Sequence, residues 1–500
     1  MCYEIYDRAV AFKSDLAIIS KKETWHYDFI CRRAKHFATL LLGQKDDLSE
    51  ARVAFMVNPG VDYVAVQWAI WIAGGIAVPL CLTYPPPSLQ YVIDDTEADF
   101  LIASDEYQEI LEPLCHQKKE ICFFSISDMM QSRMYPEKSL PILNLSRKAM
   151  ILYTSGTTNL PKGVVTTHGN IKAQIEMLQV AWQWQSEDKT ICVLPLHHVH
   201  GIINVVCCSL WAGGACLFLP RFDPGEVIEL LESKSITVFM AVPTIYFKLI
   251  SYIEKLSFTR AMEIKGNLMH KRLMVSGSAA LPVSVMEKWH ELSGHWLLER
   301  YGMTEIGMAI SNPYLGERRP GFVGTPLPSV QVRLVNEDGK IKNGEPGEIQ
   351  VKGPAVFQEY WKRKEATMES FTEDHWFKTG DTAAIENGYY KILGRTSIDI
   401  IKSGGYKISA LEIEEVIRQY EGIDDCSVIG IPDVEWGELV CAAIIVKEGK
   451  EINADLFQRW LLERLPKYKS PRHIKWVDSL PRNAMGKVTK KELVPLFKKE

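Results

Sequence analysis

The residues best suited to chemistry lie in ILYTSGTTNLPKGVVTTHG, residues 151–169. An apolar, β-branched run leads into Thr154, Ser155, Gly156, Thr157 and Thr158, with Lys162 four residues on. Small hydroxyls and glycine expose many backbone N–H donors in little volume, and a lysine adds a compact positive charge. Together they suit a polyphosphate. On its own such a run reads first as a solvated linker. The strand-like run before it, and the lysine and glycine after it, turn the reading toward the phosphates of a nucleotide. A Walker loop needs glycine before the lysine and a hydroxyl after it. Here Pro161 precedes Lys162 and Gly163 follows, so no P-loop is indicated. Protein-kinase signatures are also missing.

A loop of this kind must be held by a sheet. From residue 50 to about 310, short β-rich runs (52–57, 100–104, 121–126, 150–155, 190–195, 216–220, 237–242, 272–278) alternate with helical patterns (about 61–73, 168–182, 225–234, 282–293). This alternation predicts a doubly wound α/β architecture of largely parallel sheets, with ligands at the carboxyl ends of strands. From 320 to about 394, QVRLV, GEIQVKG and YYKILG are separated by turn signals and predict a small β subdomain. After residue 395 comes a compact α+β pattern: helix 410–420, strands CSVIGI and CAAIIVK, helix 454–465 and strand HIKWVD. The reading is one large domain over 1–394 and a small C-terminal domain over 395–500.

Composition narrows the function classes. With 47% apolar and 24% charged residues the chain is an ordinary globular one, and a net charge of −5 with interspersed signs offers no stripe for nucleic acid. The eleven cysteines form no CxxC pair and sit mostly in apolar runs, as reduced core thiols do. The N-terminus has early acidic residues and no apolar signal core, so the expectation is a cytoplasmic protein. The apolar stretch 64–82 reaches the length of a membrane span, but Gln67, Gly74–Gly75 and Pro79 make it a buried strand–helix–strand unit. Monomer and homodimer both stay open.

YTSGTTNLPKG, ERYGMTE, KTGD at 378–381, GRTSIDIIKSGGYK and PRNAMGK occur in that order over residues 153–487. The series resembles the acyl-activating adenylate-forming enzymes: acyl-CoA synthetases, luciferases and the adenylation domains of peptide synthetases. The resemblance implies that a carboxylate attacks the α-phosphate of ATP to give acyl-AMP and pyrophosphate, and that a thiol, here CoA, then displaces AMP. It places Thr154 to Thr158 and Lys162 at the β- and γ-phosphates, Thr304 at the α-phosphate, Tyr301 on adenine, and Asp381 with Arg395 at the ribose. Glu305 and Thr157 would hold Mg²⁺. IGMAI, after Glu305, reads as the start of an apolar helix. The resemblance makes Lys487 the lysine that bridges the reacting carboxylate and the α-phosphate, on a mobile lid. A second lid face, Lys402, Gly404, Gly405 and Lys407, would line the CoA path. Ser397 and Asp399 are the hinge candidates. In PLHHVHG (195–201), His198 matches a histidine beside the acyl pocket, and His200 stands where an aromatic is common.

Which acid is activated turns on Arg300. Many chain-type synthetases have glycine before the corresponding YG. At a strand end Glu299 and Arg300 point to opposite faces and cannot simply pair. An unpaired arginine facing an acyl pocket argues against a fatty-acid tunnel there. A second substrate carboxylate would satisfy it in bidentate geometry, with Ser278 adding a hydroxyl. VSGSAALP, ERYGMTEIGMA and GERRPGFVGTPLP resemble the malonyl-CoA and methylmalonyl-CoA synthetase branch. Alternatives are an arginine tied to an acidic side chain or a nucleotide phosphate, a medium- or long-chain fatty acyl substrate, and a carrier-protein acceptor in place of CoA.

Overall fold

The computed structural model describes residues 4–116, 121–132, 139–154, 161–336, 339–341, 345–404, 406–482 and 486–497. Among these, four sheets carry the architecture. Runs rich in Val, Ile and Phe, buried on both faces, form the parallel cores of two large sheets, as expected where helices cover both sides. In the first, Lys148–Thr154, Ile76–Pro79, Arg52–Met56, Phe100–Ala103 and Cys122–Ser125 are parallel neighbours. In the second, Leu298–Met303, Leu273–Ser276, Val238–Ala241, Lys189–Cys192, Ala215–Phe218 and Leu16–Ile19 run parallel. The helix Val61–Ile72 is buried almost all round between core elements, with Trp68 and Trp71 packed inside. No helix among the described residues is long and apolar enough to cross a membrane.

Antiparallel strands are added at the sheet edges, and the site is built there. Lys162–Thr167 returns beside Lys148–Thr154, with Thr154 opposite Lys162. The two strands form an antiparallel pair, and the helix His168–Ala181 follows only after the second of them. Gly307–Ser311 returns beside Leu298–Met303. The apolar IGMAI segment is thus strand and not the start of a helix. Its residues are buried on both faces of a sheet, a pattern that a short apolar run shares with a buried helix.

The small β subdomain is a four-stranded antiparallel sheet of Gln331–Val335, Gly347–Lys352, Phe377–Glu386 and Tyr389–Arg395. Asp381 lies inside its third strand and pairs directly across with Arg395. The C-terminal domain holds a second α+β core, in which Ile423–Asp433 and Gly437–Val446 form a long hairpin beneath Ala410–Arg418 and Ala454–Arg464. Lys402 and Lys407 face one another across a further hairpin, Ile400–Ser403 with Tyr406–Ser409, which local alternation had not revealed.

Candidate active site

The two strand edges and the C-terminal domain converge on one cleft. Tyr301 donates from its hydroxyl to Asp381 Oδ2 at 2.7 Å, and Arg395 Nε donates to Asp381 Oδ1 at 2.9 Å. Both oxygens of Asp381 are thereby fixed in direction. Glu305 occupies the turn between the strands Leu298–Met303 and Gly307–Ser311 and is 5% exposed. Tyr360 donates its hydroxyl to Glu305 Oε1 at 3.0 Å, and Lys162 Nζ lies 5.1 Å above the Tyr360 ring centre. Burial raises the Glu305 pKa, partly offset by hydrogen bonds and by Arg395. Thr304, half-buried, precedes it in the same turn.

The strand pair Lys148–Thr154 and Lys162–Thr167 is braced from outside near Thr154 and Lys162. Tyr91 donates to the carbonyl of Pro161 at 2.8 Å, Trp361 N–H donates to the carbonyl of Gly163 at 2.7 Å, and Tyr153 donates to Asp95 Oδ2 at 2.6 Å. Ser155, Gly156, Thr157, Thr158 and Gly405 lie outside the described residues.

Beside the Tyr301 cluster is a second, drier one. Arg300 is 3% exposed, and its Nε and Nη2 have no hydrogen-bond partner. Burial drives its pKa down, with nearby Glu299 acting in the opposite sense. The two side chains diverge, and Glu299 Oε1 instead accepts from the Leu281 N–H at 2.9 Å. Room for the guanidinium comes from Gly277, where a Cβ would stand 2.5 Å from Arg300 Cζ. Ser278, held at φ +69°, shares a hydrogen bond of 3.0 Å with His200 Nδ1.

His200 opens a π-helical stretch, His200–Cys207, a wide turn of the kind often found at functional sites. Gly201 allows it, since a Cβ there would lie 2.6 Å from the Pro195 carbonyl oxygen. His200 is 3% exposed, and burial and Arg300 together keep it neutral. His198, pushed down to about 3 by burial, by His197 and by Lys487, lies within reach of the lysine that the C-terminal domain supplies. The sequence singled out His198. The structure adds His200, whose only sequence signal was a histidine in an aromatic's place.

Lys487 enters from the C-terminal domain. Its pKa is lowered by burial, then by Arg395 and Arg300, against the opposing pull of Asp381 and Asp399. It is surrounded by protein groups and yet exposed, as a side chain reaching into a cleft must be. Gly486 seats against Thr244, where a Cβ would lie 3.1 Å from the hydroxyl.

Of the other lid candidates, Lys402, Ser397 and Asp399 adjoin Arg395. Gly404, at φ +57°, donates its N–H to Trp436 O at 2.9 Å, and the Trp436 ring covers it. Lys402 lines a surface groove with Thr379, Gly380, Arg395 and Ser397. Asp399 accepts from the Arg395 N–H at 3.0 Å and pairs with Lys490 at 2.7 Å.

This arrangement sets a buried carboxylate and a strand-end lysine on either side of Tyr360, an aspartate with both oxygens directed, and a second lysine supplied from another domain. It suits a nucleoside triphosphate on one side and an anion on the other. The chain belongs to the AMP-binding enzyme family, whose model matches residues 5–361, while the model of the AMP-binding enzyme C-terminal domain matches residues 412–487. It is 42% identical to the mitochondrial malonate–CoA ligase ACSF3 of Homo sapiens over 530 residues, covering 99% of this chain and 92% of that one. Its fold superposes on ATP-bound MatB from Rhodopseudomonas palustris with a TM-score of 0.91, at 32% identity and with 99% of each chain covered. Against apo MatB from the same organism, at the same identity and coverage, the TM-score is 0.82.

Proposed function

We propose that this AMP-forming acid–CoA ligase activates a short dicarboxylate, malonate first and methylmalonate second. The observation that carries the reading is Arg300, a buried guanidinium with two unpartnered nitrogens in the cleft that Lys487 enters. Burying such a charge costs several kcal/mol unless a hydrogen-bonded counter-charge meets it. A distal carboxylate would meet it bidentately, with Ser278 and His200 beside it. An acyl tail would leave it unpaired. Charge pairing to a nearby acidic side chain is disfavoured because Glu299 turns to the Leu281 N–H. The mitochondrial ligase of Homo sapiens, named for malonate, points the same way.

In the first step the proximal carboxylate attacks the α-phosphate, and the P–O bond to pyrophosphate breaks. Lys487 and Thr304 serve the charge that builds on the α-phosphate, and Lys162 with Thr154, Ser155, Gly156, Thr157 and Thr158 holds the leaving phosphates. Asp381 and Arg395 hold the ribose, with Tyr301 at the base. His198 stands by the reacting acid. Neutral imidazoles at His198 and His200 avoid adding positive charge beside Arg300.

The donor set suits Mg²⁺ held by Glu305 and Thr157, since a hard cation bound mainly by phosphates needs one carboxylate and hydroxyl oxygens, not a cage. When bound it neutralises charge on the phosphate chain. Among the described residues no cluster of three or more ligating side chains suggests another metal.

In the second step CoA displaces AMP, and the hairpin of Lys402, Gly404, Gly405 and Lys407 would have to swing inward. We place the boundary between body and lid at 394/395. The tight turn 396–399 joins the two sheets there, with Ser397 and Asp399 as hinge candidates. The described cysteines are all unpaired thiols, nine of them buried, which supports a reducing compartment such as the cytoplasm. The relative's mitochondrial name makes the mitochondrion the second candidate.

AMP release measured with malonate, methylmalonate, acetate, octanoate and palmitate tests the reading. Malonate should lead, and Arg300→Met should lower its kcat/KM by about 10²- to 10³-fold, the loss expected for a buried charge pair. Octanoate turning over as fast as malonate, or full malonate activity in Arg300→Met, would overturn it.

A further inference from the structure

We propose that Glu415 is a positioning residue for adenylate formation, fastening the C-terminal domain in the orientation that delivers Lys487. Glu415 lies half-buried on the lid helix Ala410–Arg418 and reaches across to the body. Its Oε2 accepts from the Val283 N–H at 3.1 Å and its Oε1 from the Ser284 N–H at 3.3 Å. These are the first donors of the eleven-residue helix Val283–Ser293. The first N–H groups of a helix have no partner within it.

This helix supplies none of its own. Pro282 stands at its cap position with no side-chain hydrogen bond, and its first turn holds no acidic residue. The carboxylate that caps it comes from the other domain, where the helix dipole also favours it.

Both ends of the contact are tied to the chemistry. On the body side, the segment 276–282 that enters the helix carries Gly277 and Ser278, which shape the Arg300 pocket, and Leu281, whose N–H is held by Glu299. On the lid side, neighbouring Glu414 pairs with Lys490 at 2.8 Å, three residues after Lys487. A lid held at Glu415 thus carries the Lys487 loop with it. On the proposed second step, in which the hairpin of Lys402 and Lys407 swings inward, the lid leaves this position, so the contact serves one half-reaction only. In the present orientation Lys487 lies close enough to Arg395, Asp381 and Arg300 for their charges to act on it, which is the placement adenylation needs.

The inference rests on the acid–CoA ligase reading but not on which acid is used. The test takes the acid that turns over fastest in the panel above. Adenylate formation is followed by single-turnover pyrophosphate release, and the second step by mixing CoA with enzyme already loaded with acyl-AMP. Glu415→Ala should slow the first step about tenfold, the worth of a helix cap, and leave the second unchanged or faster. Glu415→Gln, which keeps an oxygen acceptor but loses the charge, should fall between.

Val283→Pro removes one donor on the body side without touching the lid. Pro282 already has ψ 137°, the extended conformation a following proline needs, and proline suits a first helical position. It should slow the first step mildly and add no loss to Glu415→Ala. Equal losses in both half-reactions, an unaffected first step, or additive losses in the double variant would overturn the proposal. A parent protein that yields no AMP with any acid would instead overturn the ligase reading itself.

Discussion

Arg300 and Glu299 are adjacent in sequence, buried in the same strand and separated in function. Arg300 is an unneutralised charge that the ligand-free fold must tolerate. Replacing a poorly compensated buried charge with an apolar side chain of similar length is often stabilising by about 1–4 kcal/mol. Arg300→Met should therefore melt at a higher temperature than the parent without acid while losing malonate turnover, a trade of stability against function. Differential scanning calorimetry with and without malonate reads both effects, and a variant that melts lower without ligand would contradict it.

Glu299 is pushed up to about 8, chiefly by burial and further by Glu415, with the Leu281 N–H and Arg300 acting against the rise. In the unfolded chain it titrates near the ordinary glutamate value, so between about 4.5 and 8 the folded state holds a proton that the unfolded state has lost. Its contribution is present below that window and is lost as pH rises through it. Glu299→Gln, which keeps an oxygen acceptor for Leu281, should flatten this decline and gain most in melting temperature at about pH 8.5. Equal gain at pH 5 and 8.5 would show that the proton is not the cause.

At the scale of elements, the site depends on short antiparallel pieces added to the parallel sheets. The two-residue strand Glu359–Tyr360 pairs with Lys162–Thr167 and thereby sets Tyr360 between Lys162 and Glu305. One hydroxyl orients the carboxylate proposed to hold Mg²⁺. Outer partners of metal ligands are commonly worth 10- to 100-fold in metal affinity. Tyr360→Phe should raise the Mg²⁺ concentration needed for half-maximal pyrophosphate release about tenfold, with little change in the melting temperature of the metal-free protein. An unchanged Mg²⁺ dependence would leave Tyr360 a packing residue only.

The whole molecule is a body and a lid, and Lys490 is the lid's internal tie. It sits 11% exposed between Asp399, just past the proposed boundary, and Glu414, on the helix that also presents Glu415. Removing one partner of a buried ionic group costs about 3–5 kcal/mol, because the remaining charges stay desolvated. Lys490→Met should lower the first thermal transition and speed proteolytic cleavage near residue 395, while ATP still protects the body. Unchanged cleavage would mean that the turn 396–399 is held by other contacts.

The family was legible in the chain itself, because five short motifs from Tyr153 to Lys487 occur in order. Glu305, Asp381, Arg395 and Lys487 were picked out by their places in those motifs, since each alone reads as an ordinary turn or surface charge. Arg300 stood out as a charge where the flanking pattern demands burial. The alternating core was readable too, since buried parallel strands are continuous apolar runs.

Tertiary structure decided what adjacency cannot encode. Gly307–Ser311 is strand because a neighbouring strand pairs with it, not because its residues forbid a helix. His200 joins Ser278 through a wide helical turn, Tyr360 meets Glu305 from 55 residues away, and Glu415 caps a helix 131 residues earlier in the chain. Each of these contacts fixes a direction or an orientation between elements. Those depend on packing across the molecule, and no local spacing of residues specifies them.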